Sequence, residues 1–145
     1  IMSLKDGTKK MSKSELSDLS RINLTDDKDV IANKVKKAKT DPLPLPSSVN
    51  ELSERPEAKN LLGIYSSLTN STLNKSVEDF DGKNFSEFKK KLAQVLVEKI
   101  NPISVEIKKL IDEKGFLDQI LLDGQKKANS IASEKIKKIQ EIIGF

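Results

Sequence analysis

Lys10 and Lys13 stand three residues apart in the run Lys10-Met11-Ser12-Lys13-Ser14. On a loop, that spacing sets two ammonium groups on one side of an elongated anion. Ammonium groups are compact cations, and the hydroxyls of Ser12 and Ser14, with the loop amides, add hydrogen bonds to phosphate oxygens. Phosphate-displacing reactions need little covalent help from protein. They need positioning, and neutralisation of the charge that builds up in the transition state. A polyphosphate is the anion that these five residues suit. Taken as bare composition, the same lysine–serine cluster also describes a solvated loop. The glycine spacing of a Walker-type phosphate loop is missing.

Other chemistries are excluded by what the 145 residues lack. There is no cysteine and no histidine. Disulfides, thiolate nucleophiles, Ser-His-Asp triads, His-ligated zinc and imidazole acid–base catalysis fall together. No apolar run approaches the length of a membrane helix and no signal-peptide pattern opens the chain, so the expected location is intracellular. Hydrophobic residues make up 36% and charged residues 33% of a chain long enough for one ordinary domain. The net charge of +4 is unevenly spread: residues 1–41 and 83–145 are basic and residues 42–82 acidic. Basic ends favour polyanionic partners, although lysine also coats ordinary solvated helix faces.

The elements that must position the loop read as follows. Ile1-Met2-Ser3-Leu4 forms a short strand, with Lys5 to Ser14 as a polar, mobile loop. A helix starts near Asp26 or Asp27, with Asp26 a good N-cap. Its apolar stripe is Val30, Ile31, Val35 and Ala38, and Lys34, Lys36, Lys37 and Lys39 load its solvent face and C-terminal end. Pro42, Pro44 and Pro46, with Ser47 and Ser48, make an extended spacer over 42–50. From Pro56 onward the pattern is helical. A first helix carries Leu61, Leu62, Tyr65 and Leu68. A short one, capped by Asn70-Ser71 or Thr72, carries Leu73, Val77 and Phe80 and ends near Asp81-Gly82. A long one runs from Phe85 to Gly115, kinked at Pro102. The last helices use Phe116, Leu117, Ile120 and Leu121, then Ala128, Ile131, Ala132, Ile136, Ile139 and Ile143. These stripes are expected core, and the C-terminal two-thirds an antiparallel helix bundle.

Lys10-Met11-Ser12-Lys13-Ser14 resembles, letter for letter, the KMSKS signature of class I aminoacyl-tRNA synthetases. The flanks narrow the resemblance to the bacterial tryptophanyl-tRNA synthetase family. They are Ile1-Met2-Ser3-Leu4 and Asp6-Gly7-Thr8-Lys9 before the signature, and Arg21-Ile22-Asn23-Leu24 through Asp26-Asp27 and Lys39-Thr40-Asp41 after it. Further on come Asn60-Leu61-Leu62-Gly63-Ile64-Tyr65-Ser66, Phe88-Lys89 to Leu92-Ala93-Gln94-Val95, Pro102-Ile103, and Lys127-Ala128-Asn129 with Ala132-Ser133. The resemblance covers nearly the whole chain. The family commonly has Asp-Pro after the signature where this chain has Glu15-Leu16, and Asp41-Pro42 replaces a Thr-Asp-Ser continuation. The family's other ATP motif, His-x-Gly-His, cannot occur in a chain without histidine. The tryptophan pocket lies in that same missing part.

The resemblance therefore implies the C-terminal portion of such an enzyme, mainly α. Residues 1–25 would be the last strand and signature loop of a Rossmann-type α/β catalytic domain, and residues 26–145 a helical anticodon-binding domain. It implies a cytoplasmic tryptophan–tRNA ligase whose partners are ATP with Mg2+, tryptophan and tRNA(Trp), working as a homodimer, with the fragment alone inactive. Lys10 and Lys13 would be the catalytic pair at the pyrophosphate oxygens. Ser12 and Ser14 would add hydroxyl or amide contacts, and Met11 would pack on the nucleotide side. Lys89-Lys90-Lys91, Lys135, Lys137 and Lys138 are candidates for RNA phosphate contacts. The alternatives are another class I enzyme such as tyrosyl-tRNA synthetase, or a non-catalytic basic helical RNA-binding module.

Overall fold

The computed structural model describes residues 1–144 and is mainly α, with five helices and one two-stranded hairpin. It divides into two compact units, residues 1–105 and 106–145. The first contains strands β1 (Met2–Ser3) and β2 (Asp6–Lys10) and helices α1 (Lys28–Lys37), α2 (Pro56–Thr69) and α3 (Leu73–Asp79). Most of α4 (Phe85–Asp112) also belongs to it. The second contains the end of α4 and α5 (Lys114–Ile143).

The strand expected at the N-terminus finds its partner in the segment read as loop. β1 and β2 pair antiparallel, Met2 opposite Lys10 and Ser3 opposite Asp6. A strand this short needs neighbours, and α2 supplies them. The Asn60 side chain accepts from Met2 N at 2.9 Å and donates to the carbonyls of Met2 and Ser3 at 3.0 and 3.3 Å. A side-chain amide thus does the work of a third strand. On the other strand, a Cβ at Gly7 would lie 2.6–2.7 Å from the backbone of Pro56 and Glu57. Only glycine lets β2 come that close to the first turn of α2. Leu4 ties the hairpin to both flanking segments, its N–H bonded to Ser20 O and its carbonyl to Lys39 N.

Asp27, not Asp26, caps α1, its carboxylate accepting from the amides of Asp29 and Val30. Asp26 turns inward to a buried ion pair. Ile31, Val35 and Ala38 are core as read, while Val30 is exposed. Lys34, assigned to the solvent face, is only 2% exposed. It lies three residues after Ile31 and so shares the inner face. Its ammonium is held 2.6 Å from both Asp18 and Asp26, because a buried cation persists only when paired.

The proline-rich connection is packed rather than a spacer. Leu45 and Pro46 are buried, and Leu45 exchanges backbone hydrogen bonds with Gly82 and Lys83. A capping box between Ser48 and Glu51 opens a 3₁₀ turn at Val49–Ser53. Arg55 grips the Asp41 carboxylate through both Nε and Nη2 and also reaches Leu43 O. Pro56 starts α2, Asn70 ends it in the left-handed conformation, and Thr72 caps α3. The core beneath the hairpin joins Leu4, Ile31, Leu52, Leu61, Leu62, Phe88 and Leu92. Within it Tyr65, Phe80 and Phe88 meet edge to face at 4.8–6.0 Å.

Helix α4 continues through Pro102 and ends at Asp112. Gly115, read as its terminator, lies in the first turn of α5, and the expected last helices are one helix. α5 has no buried residue, and its Phe116, Ile120, Leu121, Ile131, Ile136, Ile139 and Ile143 are exposed. The expectation that this stripe is core therefore fails. A stripe becomes core only where another surface covers it.

Two stability predictions follow from the docking of β2 on α2. Gly7→Ala forces the strand off the helix and costs about 1–3 kcal/mol, read as a lower chemical-denaturation midpoint; an unchanged midpoint means the hairpin is not seated there. Glu57 also bonds Lys39 across this seam at 2.8 Å. The Lys39 ammonium, helped by the Gly7 amide, holds the Glu57 carboxyl below its ordinary range. Its folded value lies below its unfolded one, so its contribution is full above the usual glutamate range and lost as pH falls through the lowered value. Glu57→Gln accordingly flattens the acid limb of stability against pH relative to wild type. Parallel acid limbs would contradict the role given to the pair.

Candidate phosphate-binding loop

Lys10 is the last residue of β2, so the docked hairpin fixes where the loop begins. Met11 bonds back to Ile1 O through its amide at 3.4 Å, and its side chain packs against the hydrophobic core. The following residues turn. Ser12 and Ser14 hydroxyls are 2.9 Å apart, and the Ser14 amide donates to Ser12 Oγ at 3.3 Å. Lys10, Ser12, Lys13 and Ser14 are all exposed.

The two lysines differ from most cations around them. Neither Lys10 nor Lys13 has a carboxylate within ion-pair distance among the described residues. Lys9 reaches Asp6 at 3.4 Å, Lys39 is paired with Glu57, and Lys34 is buried between two aspartates. Lys10 and Ser12 line a cavity of about 290 Å³ with Ser3, Lys5, Asp6, Lys9, Glu15 and Ser20. The Ser20 hydroxyl is buried there without a hydrogen-bond partner among the described residues. Lys13, Met11 and Ser14 are not part of that lining, so the five residues divide between cavity wall, core anchor and exposed turn.

Sequence reading missed Arg21. Its Nη1 donates to the carbonyls of Glu15 at 2.9 Å and Ser12 at 3.4 Å. Its Nη2 meets Asp18 at 3.0 Å and its Nε meets Asn23 at 3.3 Å. Asn23 in turn donates to Asp18 and Asp26, and its amide N–H to Asp26. Asp18 is held below its ordinary carboxylate range, first by its hydrogen bond from Lys34, then by that from Asn23. A planar fork in a lysine-rich chain was the available signal.

No three Asp or Glu side chains gather as a metal site among the described residues. Ammonium and hydroxyl groups do not form a divalent-cation shell, which calls for carboxylate and carbonyl oxygens. The donor set here does not fit a protein-held Mg2+. The lysines proposed for RNA contact also divide. Lys89 donates to the carbonyls of Lys36 and Ala38, capping the end of α1, and burial pushes its ammonium pKa down. Lys138 pairs with Glu134. Lys90, Lys91, Lys135 and Lys137 remain exposed. No helix among the described residues is long and apolar enough to cross a membrane.

Comparison with known proteins identifies the family. The family model described as tRNA synthetases class I (W and Y) matches residues 1–103. The tryptophan–tRNA ligase of Agrobacterium fabrum is 50% identical over the whole chain, which spans 41% of that protein. That of Rickettsia felis is 46% identical, with 43% of its length spanned. The tryptophanyl-tRNA synthetase structure from Mycoplasma pneumoniae superposes with a TM-score of 0.69 at 24% identity, covering all of this chain and 45% of that one. The chain thus spans less than half the length of these relatives. It belongs to the class I tRNA synthetase family that takes in the tryptophan and tyrosine enzymes.

Proposed function

We propose that this chain is the C-terminal portion of a tryptophan–tRNA ligase and supplies that enzyme's ATP-phosphate loop. The observation that carries the reading is its whole-chain identity to tryptophan–tRNA ligases. In the parent reaction the tryptophan carboxylate attacks the α-phosphate of ATP. The bond to the β-phosphate breaks, and tryptophanyl-adenylate and pyrophosphate result. The tryptophanyl group then passes to the terminal adenosine of tRNA(Trp), releasing AMP. Magnesium enters with the nucleotide as part of the substrate.

Within that reaction Lys10 and Lys13 act on the pyrophosphate-side oxygens, where negative charge grows as the bond breaks. Ser12 and Ser14 contribute hydroxyl and amide contacts, and Met11, anchored against the hydrophobic core, lies on the nucleotide side of the loop. Residues 1–25 are the edge of the catalytic domain, and residues 26–145 the helical part that meets the anticodon region. The protein works in the cytoplasm as a homodimer. The exposed Lys90, Lys91, Lys135 and Lys137 suit an RNA backbone, whose affinity would then fall steeply with salt.

The test is pyrophosphate–ATP exchange by the full-length polypeptide with tryptophan, tyrosine and a panel of other amino acids. Tryptophan-dependent exchange is expected. Exchange with tyrosine alone would reassign the specificity, and none with any amino acid would overturn the reading. Lys13→Ala lowers the exchange rate constant by about a hundredfold or more while ATP binding changes little, as for a group acting mainly in the transition state. A loss confined to KM for ATP would remove Lys13 from that role. For the helical part, a flat salt profile of tRNA binding would count against the lysine contacts.

A further inference from the structure

The phosphate loop is closed behind by a charged network that no part of the proposed reaction uses. Its innermost member is the Lys34 ammonium, 2% exposed, 2.6 Å from Asp18 and from Asp26. Asp18 passes the constraint outward. One of its oxygens meets Lys34, and the other meets Arg21 Nη2 at 3.0 Å and Asn23 Nδ2 at 2.9 Å. Arg21 is then gripped on the Nε side by Asn23 and presents Nη1 to the carbonyls of Ser12 and Glu15. Those carbonyls bracket Lys13, Ser14 and Glu15. The chain of contacts thus runs from the middle of α1 to the two peptide groups that enclose the exposed half of the loop.

We propose that Arg21 is a positioning residue for the phosphate loop. Held by Asp18, which is itself fixed by buried Lys34, it sets the backbone that carries Lys13 and Ser14. The proposal rests on the synthetase reading for its catalytic consequence, but not for its structural one. Among the described residues the Arg21 guanidinium makes its hydrogen bonds and ion pair with loop carbonyls, Asp18 and Asn23. Its influence on an anion therefore passes through where the loop lies. The fork geometry is needed. A lysine at position 21 keeps the charge beside Asp18 but cannot engage Asp18, Asn23 and two carbonyls at once.

The test uses the full-length polypeptide and two readouts. The first is cleavage after Lys10 and Lys13 by a lysine-specific protease, which needs no enzymatic activity of the protein. Arg21→Gln is expected to speed that cleavage about tenfold with cleavage elsewhere unchanged. Unchanged cleavage at the loop overturns the proposal, as does a uniform rise at every lysine, which would mean general unfolding. The second is pyrophosphate–ATP exchange with tryptophan. Arg21→Gln and Arg21→Lys are both expected to lower kcat about tenfold or more, with KM for tryptophan unchanged, as displaced reacting groups do. Full rescue of kcat by Arg21→Lys reduces Arg21 to a charge and overturns the geometric role. Loosened cleavage with unaltered kcat also overturns it. If the unmutated protein shows no exchange at all, the synthetase reading fails, while the cleavage result still decides whether Arg21 holds the loop.

Discussion

A lysine ammonium placed inside a protein imposes more order than any apolar contact of similar size. Lys34 cannot be buried unless anions come to it, and the anions are Asp18 and Asp26, each at 2.6 Å. Both lie in the irregular stretch before α1, which has no ladder of its own and only one short 3₁₀ turn at Asp18–Ser20. Pinning Asp18 and Asp26 to one point on α1 therefore fixes the path of that stretch. Because Asp18 also binds Arg21, the same point reaches the carbonyls of Ser12 and Glu15. An apolar contact would have held the segment down without aiming it, since burial is non-directional.

The other end of the loop is fixed by steric fit rather than charge. Gly7 admits the backbone of α2, Asn60 stands in for a strand neighbour, and the Lys39–Glu57 pair closes the seam. The loop is thus strung between a docked hairpin and a braced return segment, both resting on one core. Cations that hold the fold together have their partners: Lys34 and Lys39 carboxylates, Arg55 Asp41, and Lys89 the carbonyls at the end of α1. Among the described residues Lys10 and Lys13, like Lys5 beside them, have no carboxylate at ion-pair distance, so their charge is left unpaired by the fold. Such unpaired cations on a constrained loop are available to a polyanion.

Much of this was legible in the chain. The five-residue loop stands out from a solvated lysine–serine turn only through its resemblance to the synthetase signature, whereas the helical stripes through Phe88 and Leu92 and the short α3 follow from spacing. The hairpin did not, because β2 is a polar strand whose one buried position is a glycine, and its neighbour Asn60 lies 58 residues from Met2. Residue type alone sends Lys34 to the solvent face, although its register beside Ile31 and Val35 points inward. Proline content describes the stiffness of the 42–50 segment and not its burial, which rests on Leu45 and Pro46 packing inward. On α5 the period correctly marks an amphipathic helix, but a period states which face would gain from cover and not whether cover is present. Arg21 and Arg55 are the two arginines among 26 cationic residues. Each makes a contact that lysine geometry cannot, which is why composition read as charge alone passes over them.

That Arg21 engages backbone carbonyls, and not the loop's side chains, has a consequence for an anion. A peptide group presents a donor at one end and an acceptor at the other. A free carbonyl beside a polyphosphate repels it, whereas a free amide, hydroxyl or ammonium attracts it. With the Ser12 and Glu15 oxygens taken by a guanidinium, two acceptors are directed at Arg21. The exposed stretch still offers the Lys13 ammonium and the Ser12 and Ser14 hydroxyls, which bond each other, beside the Lys13 and Ser14 carbonyls that Arg21 does not engage. The brace therefore withdraws two acceptors from the loop as well as fixing its position. A substituted lysine at position 21, able to satisfy at most part of this set, would leave an acceptor where the loop needs a donor.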